Sequence, residues 1–302
     1  MQYLKSFFLA SESDETGFML SRSSSWRLDM ACYSQNNAYP FHIFPKKSLK
    51  RIDFEPITLF YGNNGSGKST LLNIISQKLG MRRSAPWNDS PMFEDYLSLC
   101  SYALCPSYRS LPEESEIVTS DGVFDFLLDV RAINTGISKD REALFDEYCE
   151  TLRDCRDNGW QMKDLSEYDE LCRRMEVRKK TMSQYVAKRM AAGSELPPKS
   201  NGESAFLYFT KHIQQNALYL LDEPENSLSP TLQLQLANFI CDSARFFGCQ
   251  FIISTHSPFL LALKGAKIYD LDSSPAQVKK WSELENVKAY YELFASHKNE
   301  FE

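Results

Sequence analysis

The sequence predicts an α/β fold built on a parallel sheet, and three features predict it. The apolar run "RIDFEPITLFYG" stops at a glycine and leads through "GNNGSGKST" into a segment whose Leu71, Leu72, Ile74, Ile75 and Leu79 follow helical spacing. The later runs "LYLL" and "FIIS" do not alternate apolar with polar residues, which is the pattern of strands covered on both faces. Between them stands "SPTLQLQLANFICDSARFFG", an amphipathic helix.

Taken in order, the first eighty residues read as β-rich. "MQYLKSFFLA" and "YPFHIF" are short aromatic-rich runs that suit strands, and Gly80 is placed to end the helix after the glycine-rich loop. Residues 81–120 are mixed and turn-rich. From about 121 to 195 the pattern is helical, with its charges sorted: 140–170 hold eleven acids against four bases, 171–190 seven bases against one acid. Two prolines in "SELPPKSNGE" break that region, and a helix from about 203 to 215 follows. "ALYLLDE" and "QFIISTHS" are buried strands flanking the amphipathic helix, and "AKIYDLDS" closes the series as a strand. The expected organisation is one domain from 1–120 and 200–302, interrupted by a helical insertion at 121–199.

A hydrophobic content of 43% beside 25% charged residues is that of a globular chain with a core. No apolar run approaches the ~18 residues of a bilayer span, and the N-terminal patch lacks the flanks of a signal peptide. None of the eight cysteines forms a C-x-x-C pair, so zinc-site spacing is absent and reduced thiols in a cytoplasmic protein are expected. A net charge of −6 argues against a globally basic nucleic-acid binder, although a local basic patch can still meet phosphates.

"GNNGSGKST" satisfies the phosphate-loop pattern from Gly62 through Asn63, Asn64, Gly65, Ser66, Gly67, Lys68 and Ser69, with Thr70 after it. Its glycines let backbone N–H groups turn inward around a phosphate. Lys68 is placed for the β- and γ-phosphates, and Ser69 for Mg²⁺. In "LYLLDEP", Asp222 ends a buried strand where it can hold Mg²⁺ through water, and Glu223 can polarise an attacking water as general base. His256, in "STHSP", is 33 positions beyond Glu223 at the tip of the next strand, within reach of a γ-phosphate. His42, His212 and His297 read as ordinary polar residues. Ser200 and Glu203 have capping-box spacing, which can coexist with a further role.

Together these stretches resemble an ABC-type ATPase: phosphate loop at 62–70, signature at 200–204, acidic strand at 218–223, switch histidine at 256. The resemblance implies a P-loop ABC-type nucleotide-binding domain that binds ATP with Mg²⁺ and hydrolyses it, with Lys68, Glu223 and His256 in the chemistry. It implies a head-to-tail homodimer closed by ATP, in which Ser200, Gly202 and Glu203 meet the γ-phosphate held by the opposite copy. Here the signature's first glycine is replaced by Asn201, while Gly202 and the acidic variant Glu203 remain. Asn226 and Ser227 would lie in the loop that crosses between the two sites. The family's magnesium-sensing glutamine has no counterpart from 78 to 160, and Ser120 or Asp121 can stand in its place. Tyr39 or Phe41 can offer adenine an aromatic platform.

Ser200 lies 132 positions after Lys68, more than transporter subunits generally need, and the signature lacks their usual leucine and glutamine. The insertion is too short for SMC-type arms. The resemblance therefore points to the soluble SMC, RecF and OLD-like class, and within it to the ATPase components of small prokaryotic defence cassettes. Such a protein implies an effector in trans, such as a nuclease or toxin. Two alternatives stay open: a DNA-repair ATPase that contacts DNA through the helical insertion (Arg173, Arg174, Arg178, Lys179, Lys180), and the nucleotide-binding subunit of a transporter.

Overall fold

A computed structural model describes residues 1–22, 38–157, 174, 175, 177 and 200–300. The chain divides into two compact units, the first comprising Met1–Asp125 and Asn201–Glu302, the second Phe126–Ser200.

Among the described residues, the first unit holds two sheets. Strands β1 (Leu4–Phe8), β2 (Arg51–Asp53) and β5 (Ser101–Leu104) form an antiparallel sheet in the order β2-β1-β5. The larger sheet adds β3 (Ile57–Tyr61), β4 (Arg82–Arg83), β6 (Glu116–Thr119), β7 (Leu218–Asp222), β8 (Gln250–Ser254), β9 (Lys267–Asp270) and β10 (Gln277–Lys279). Its order is β10-β9-β3-β8-β7-β6-β4, parallel throughout except for β10 against β9. Every residue of β3 and β8 is buried, as is every residue of β7 but the last, so the unbroken apolar runs are strands covered on both faces.

The helices of this unit are α1 (Glu12–Ser21), α2 (Lys68–Lys78), α3 (Phe93–Leu99), the start of α4 (Ser120–Asp157), α5 (Asn201–His212), α6 (Pro230–Phe246), α7 (Pro258–Leu261) and α8 (Glu285–Ser296). The end of α2 closes as the sequence predicts: Gly80 N–H donates to Gln77 O at 3.1 Å and Met81 N–H to Ser76 O at 3.0 Å, a Schellman pair. Leu71, Leu72, Ile74 and Ile75 of α2 pack with Leu220, Ile252 and Phe60 of the sheet and with Phe7 and Ile52 of the smaller sheet, so one core serves both layers.

Two local expectations change. "YPFHIF" forms turns rather than a strand, and it carries Phe41 and Phe44 into the core beneath α2. "SESDETGFML" forms α1, begun by Ser11, whose side chain and that of Asp14 bond reciprocally to each other's backbone N–H.

In the second unit, α4 continues from the first as a helix through Asp157. Tyr148 and Val177 bury together there, with Leu144 and Phe145 beside them. Apart from Arg174, the basic residues singled out in the insertion lie outside the described residues, as does the proline break before Ser200. Among the described residues, no helix is long and apolar enough to cross a membrane.

Candidate functional site

The site forms where the C-terminal ends of β3, β7 and β8 come level. Phe60 of β3 pairs with Ser254 of β8, and Ser254 with Asp222 of β7, so the loops leaving these three strands emerge together. Crevices at such strand ends are where open parallel sheets hold ligands.

The loop after β3 is made by its backbone. Gly65 and Gly67 have φ of +81° and +92°, left-handed values that cost glycine nothing. A Cβ on Gly62 would lie 2.5 Å from Ser66 Oγ, so the loop can close only without one. Ser66 Oγ itself is buried and has no hydrogen-bond partner among the described residues. Lys68 is buried; its Nζ donates to Gly62 O at 2.7 Å and Asn63 O at 3.3 Å, folding the ammonium over the loop. Ile43 and Phe44 support Gly67 from below.

The acids meet this loop directly. Ser69 Oγ donates to Asp222 Oδ1 at 3.1 Å, and Lys68 Nζ lies 3.5 Å from Glu223 Oε1. Asp222 also accepts from Ser254 Oγ. Burial pushes the Asp222 carboxyl above the ordinary range, opposed by the bonds from Ser254 and Ser69; the Glu223 charge adds to the rise and Lys68 counters it. Glu223 has φ +48°, unusual for a side chain of its size, and its N–H is held by Ser254 O at 3.0 Å. His256 Nδ1 stands 3.8 Å from Glu223 Oε1, completing a row from Lys68 through Glu223 to the imidazole.

Oxygen donors suit Mg²⁺, which keeps waters and substrate phosphates and needs only one or two protein ligands. Ser69 and Asp222 supply two, at hydrogen-bond distance from each other. The residues present fit the ion; among the described residues no group of three or more His, Cys, Asp or Glu is placed to hold a metal.

The other sequence candidates fall as follows. Asn63, Asn64 and Thr70 sit in the loop and on the first turn of α2, and Asn63 N–H donates to Asp272 Oδ2 at 2.8 Å. Gly202 and Glu203 lie in the first turn of α5. A Cβ on Gly202 would lie 2.9 Å from Leu232 and 3.1 Å from Ser227 O, so this glycine permits α5 to pack against the turn that follows the acids. Ser200 is the last residue of the second unit. Asn226 Nδ2 donates to Glu223 Oε2 at 3.3 Å, and Ser227 has φ +71°. Ser120 and Asp121 follow directly on Thr119, which pairs with Asp222 in the sheet. Phe41 stacks on Phe18 at 6.0 Å and meets Tyr96 edge-on at 5.2 Å, so its ring is core and not a platform for adenine.

Sequence reasoning missed several residues. Ser254 reads as the end of a strand, and only pairing brings it to Asp222. Arg83 is half-buried, bonded through Nη1 to Asn73 Oδ1 at 2.7 Å and through Nε to Ala85 O at 2.8 Å. Burial lowers its pKa, while the fields of Asp222 and Asp121 act the other way. Glu225 is a third acid in "DEPE" and was visible in the motif; its burial was not.

Two family profiles match the chain. Residues 189–262 match one described as "AAA domain, putative AbiEii toxin, Type IV TA system", and residues 40–86 one described as an AAA domain. These segments carry the acidic strand with the histidine loop, and the phosphate loop. Both matched segments are thus similar to AAA domains, and they are the segments that hold the glycine-rich loop and the acids of the site. No curated protein matches the chain. Among solved structures, an SMC head domain of Pyrococcus furiosus bound to the C-terminal domain of ScpA shares 16% identity, covering 82% of this chain and 95% of that one, at a TM-score of 0.38. An SMC head bound to the winged-helix domain of ScpA shares 18% over 76% and 92%, at 0.38. An inward-facing "putative metal-chelate type ABC transporter" shares 18% over 78% and 76%, at 0.35.

Proposed function

We propose that this protein binds and hydrolyses ATP, closes as a head-to-tail homodimer around it, and thereby switches an effector in trans such as a nuclease or toxin. The observation that carries the ATPase reading is the convergence of Ser69 on Asp222 and of Lys68 on Glu223 across loops far apart in sequence.

Before nucleotide enters, Lys68 satisfies its charge with two loop carbonyls and Glu223. A triphosphate gives the ammonium a stronger anionic partner, and the loop N–H groups not already bonded, unlike those of Asn63 and Ser66, can donate to phosphate oxygens. Glu223, relieved of Lys68, orients and deprotonates the attacking water. His256 hydrogen-bonds the γ-phosphate from the neighbouring strand end. A bound Mg²⁺, held by Ser69 and Asp222, supplies charge neutralisation of the phosphates. Ser200, Gly202 and Glu203 of one copy close over the phosphate held by the other, and the difference in contacts between open and closed pairs drives the switch.

The family description at 189–262 mentions a toxin of a toxin–antitoxin system, which supports a toxin-linked output; the setting proposed for it is antiphage defence. One observation favours a second reading, direct DNA contact by a repair-type ATPase: the seven bases against one acid in 171–190. The transporter alternative draws on likeness of fold alone.

The first experiment is the solution mass of Glu223→Gln with and without ATP. Dimerisation only with ATP, lost on a further Ser200→Arg change, is the expected result. A mass indifferent to ATP rejects the closed dimer.

A further inference from the structure

We infer that Glu225 is a positioning residue for His256: its buried carboxylate fixes the loop after β8 so that the imidazole stands beside Glu223. This rests on the ATPase reading for its consequence, though not for its geometry. One oxygen of Glu225 gathers three donors from that loop: Thr255 Oγ1 at 2.7 Å, His256 N–H at 2.9 Å and Ser257 N–H at 3.2 Å. The same oxygen lies 3.5 Å from His256 Nδ1. The Glu225 side chain is 5% exposed, whereas the imidazole is 50% exposed, so the anchor is enclosed and the group it presents is open.

Two further bonds hold the loop. Asn286 Nδ2 of α8 donates to His256 O at 2.7 Å, and Ser257 Oγ donates to Gln233 Oε1 of α6 at 2.6 Å. With both its N–H and its C=O tied, the backbone of His256 is fixed and only its side-chain torsions remain free. The imidazole then stands between two carboxylates, the enclosed Glu225 and the more open Glu223.

A residue needed only to fill this space would not carry a charge. Burying a carboxylate is costly unless charge-assisted bonds offset it, and the second oxygen, Oε2, is buried with no partner among the described residues. Three bonds converging on the first oxygen are what hold the anion in place, and all three come from the segment that carries His256. Glu225 also belongs to the turn that holds Glu223, since Asn226 N–H returns to Glu223 O at 3.1 Å and Leu228 N–H to Glu225 O at 3.0 Å. One side chain thus registers the acid turn against the histidine loop.

The test compares Glu225→Ala and Glu225→Gln, alone and with His256→Ala. Glu225→Ala should lower kcat for ATP by on the order of 10–100-fold with KM nearly unchanged, the cost of a misplaced group. Glu225→Gln, whose amide oxygen can accept the same donors, should restore kcat to within about threefold of the parent. Adding Glu225→Ala to His256→Ala should cost less than about twofold more, because the two act as a unit. The chain has four histidines, so single substitutions assign each imidazole nitrogen signal. In the nucleotide-free protein, Glu225→Ala should move the His256 signal and leave those of His42, His212 and His297 in place. An unmoved His256 signal, or losses that multiply in the double variant, overturns the assignment. If Glu225→Ala does not fold, Glu225→Asp, which draws the carboxylate back by one methylene, takes its place with the same expectations. If the parent does not hydrolyse ATP, the proposed function fails, and the imidazole signals still decide the role of Glu225.

Discussion

The loop after β3 and the turns after β7 and β8 face the same crevice but are built differently. The first is made of backbone, its cradle set by Gly62, Gly65 and Gly67, with one buried cation lying over it. The others are made of side chains: Asp222, Glu223, Glu225 and His256 hold one another and Ser254 in place by hydrogen bonds and charge. A backbone cradle suits a phosphate, whose oxygens are alike and accept from any N–H. A side-chain cluster suits a water that must be held at one place and lose a proton. Binding should therefore be broken from the first loop, and turnover from the other two.

The largest effect should come from the acid turn. Glu223→Gln should lower kcat by roughly 10²–10⁴-fold, the usual worth of a general base, while ATP affinity by equilibrium dialysis stays near the parent's. A loss of affinity instead would erase the division between the loops. Lys68→Ala should do the reverse at first order, weakening ATP binding by about 10–100-fold through loss of charge-assisted bonds. Gly62→Ala should weaken it less, through the displacement of Ser66, and lower Tm as overpacking does, by roughly 1–3 kcal/mol of stability. Normal ATP binding by that variant would mean that the loop opens in solution.

A smaller effect sharpens the comparison from the stability side. The folded pKa of Asp222 is raised by burial, so its ionised form costs stability above that pKa, and the cost vanishes as pH falls through it. Asp222→Asn should thus raise Tm of the nucleotide-free protein at pH 8, by about 2–4 °C, and lose that advantage on acidification, while ATP turnover falls. The smallest effect on the crevice should come from reversing Arg173, Arg174, Arg178, Lys179 and Lys180. Basal ATPase activity should be kept, and only the salt-dependent binding of DNA, if the repair reading holds, should disappear.

Much of the site was legible because its chemistry lies in short contiguous motifs. Lys68 and Ser69 follow their glycines, and Asp222 and Glu223 end an apolar run; each motif carries its own strand-end context. The antiparallel sheet was far less legible. β1 pairs with β2 and β5, segments more than forty residues away, and β5 is half open to solvent, so no local pattern announces the partnership. "YPFHIF" misled for a related reason: aromatic residues fill a core from turns as well as from strands, and periodicity over six residues cannot separate the two.

The sequence by itself determined the phosphate loop, the buried parallel strands and the two acids, because glycine geometry and unbroken hydrophobic runs act over a few neighbouring residues. Tertiary structure alone decided that β8 lies between β3 and β7, bringing Ser254 to Asp222 and His256 to Glu223. It alone decided that the third acid of "DEPE" turns inward to hold the histidine loop. Strand order and side-chain burial depend on which distant faces exclude water together, and no local stretch of the chain records that.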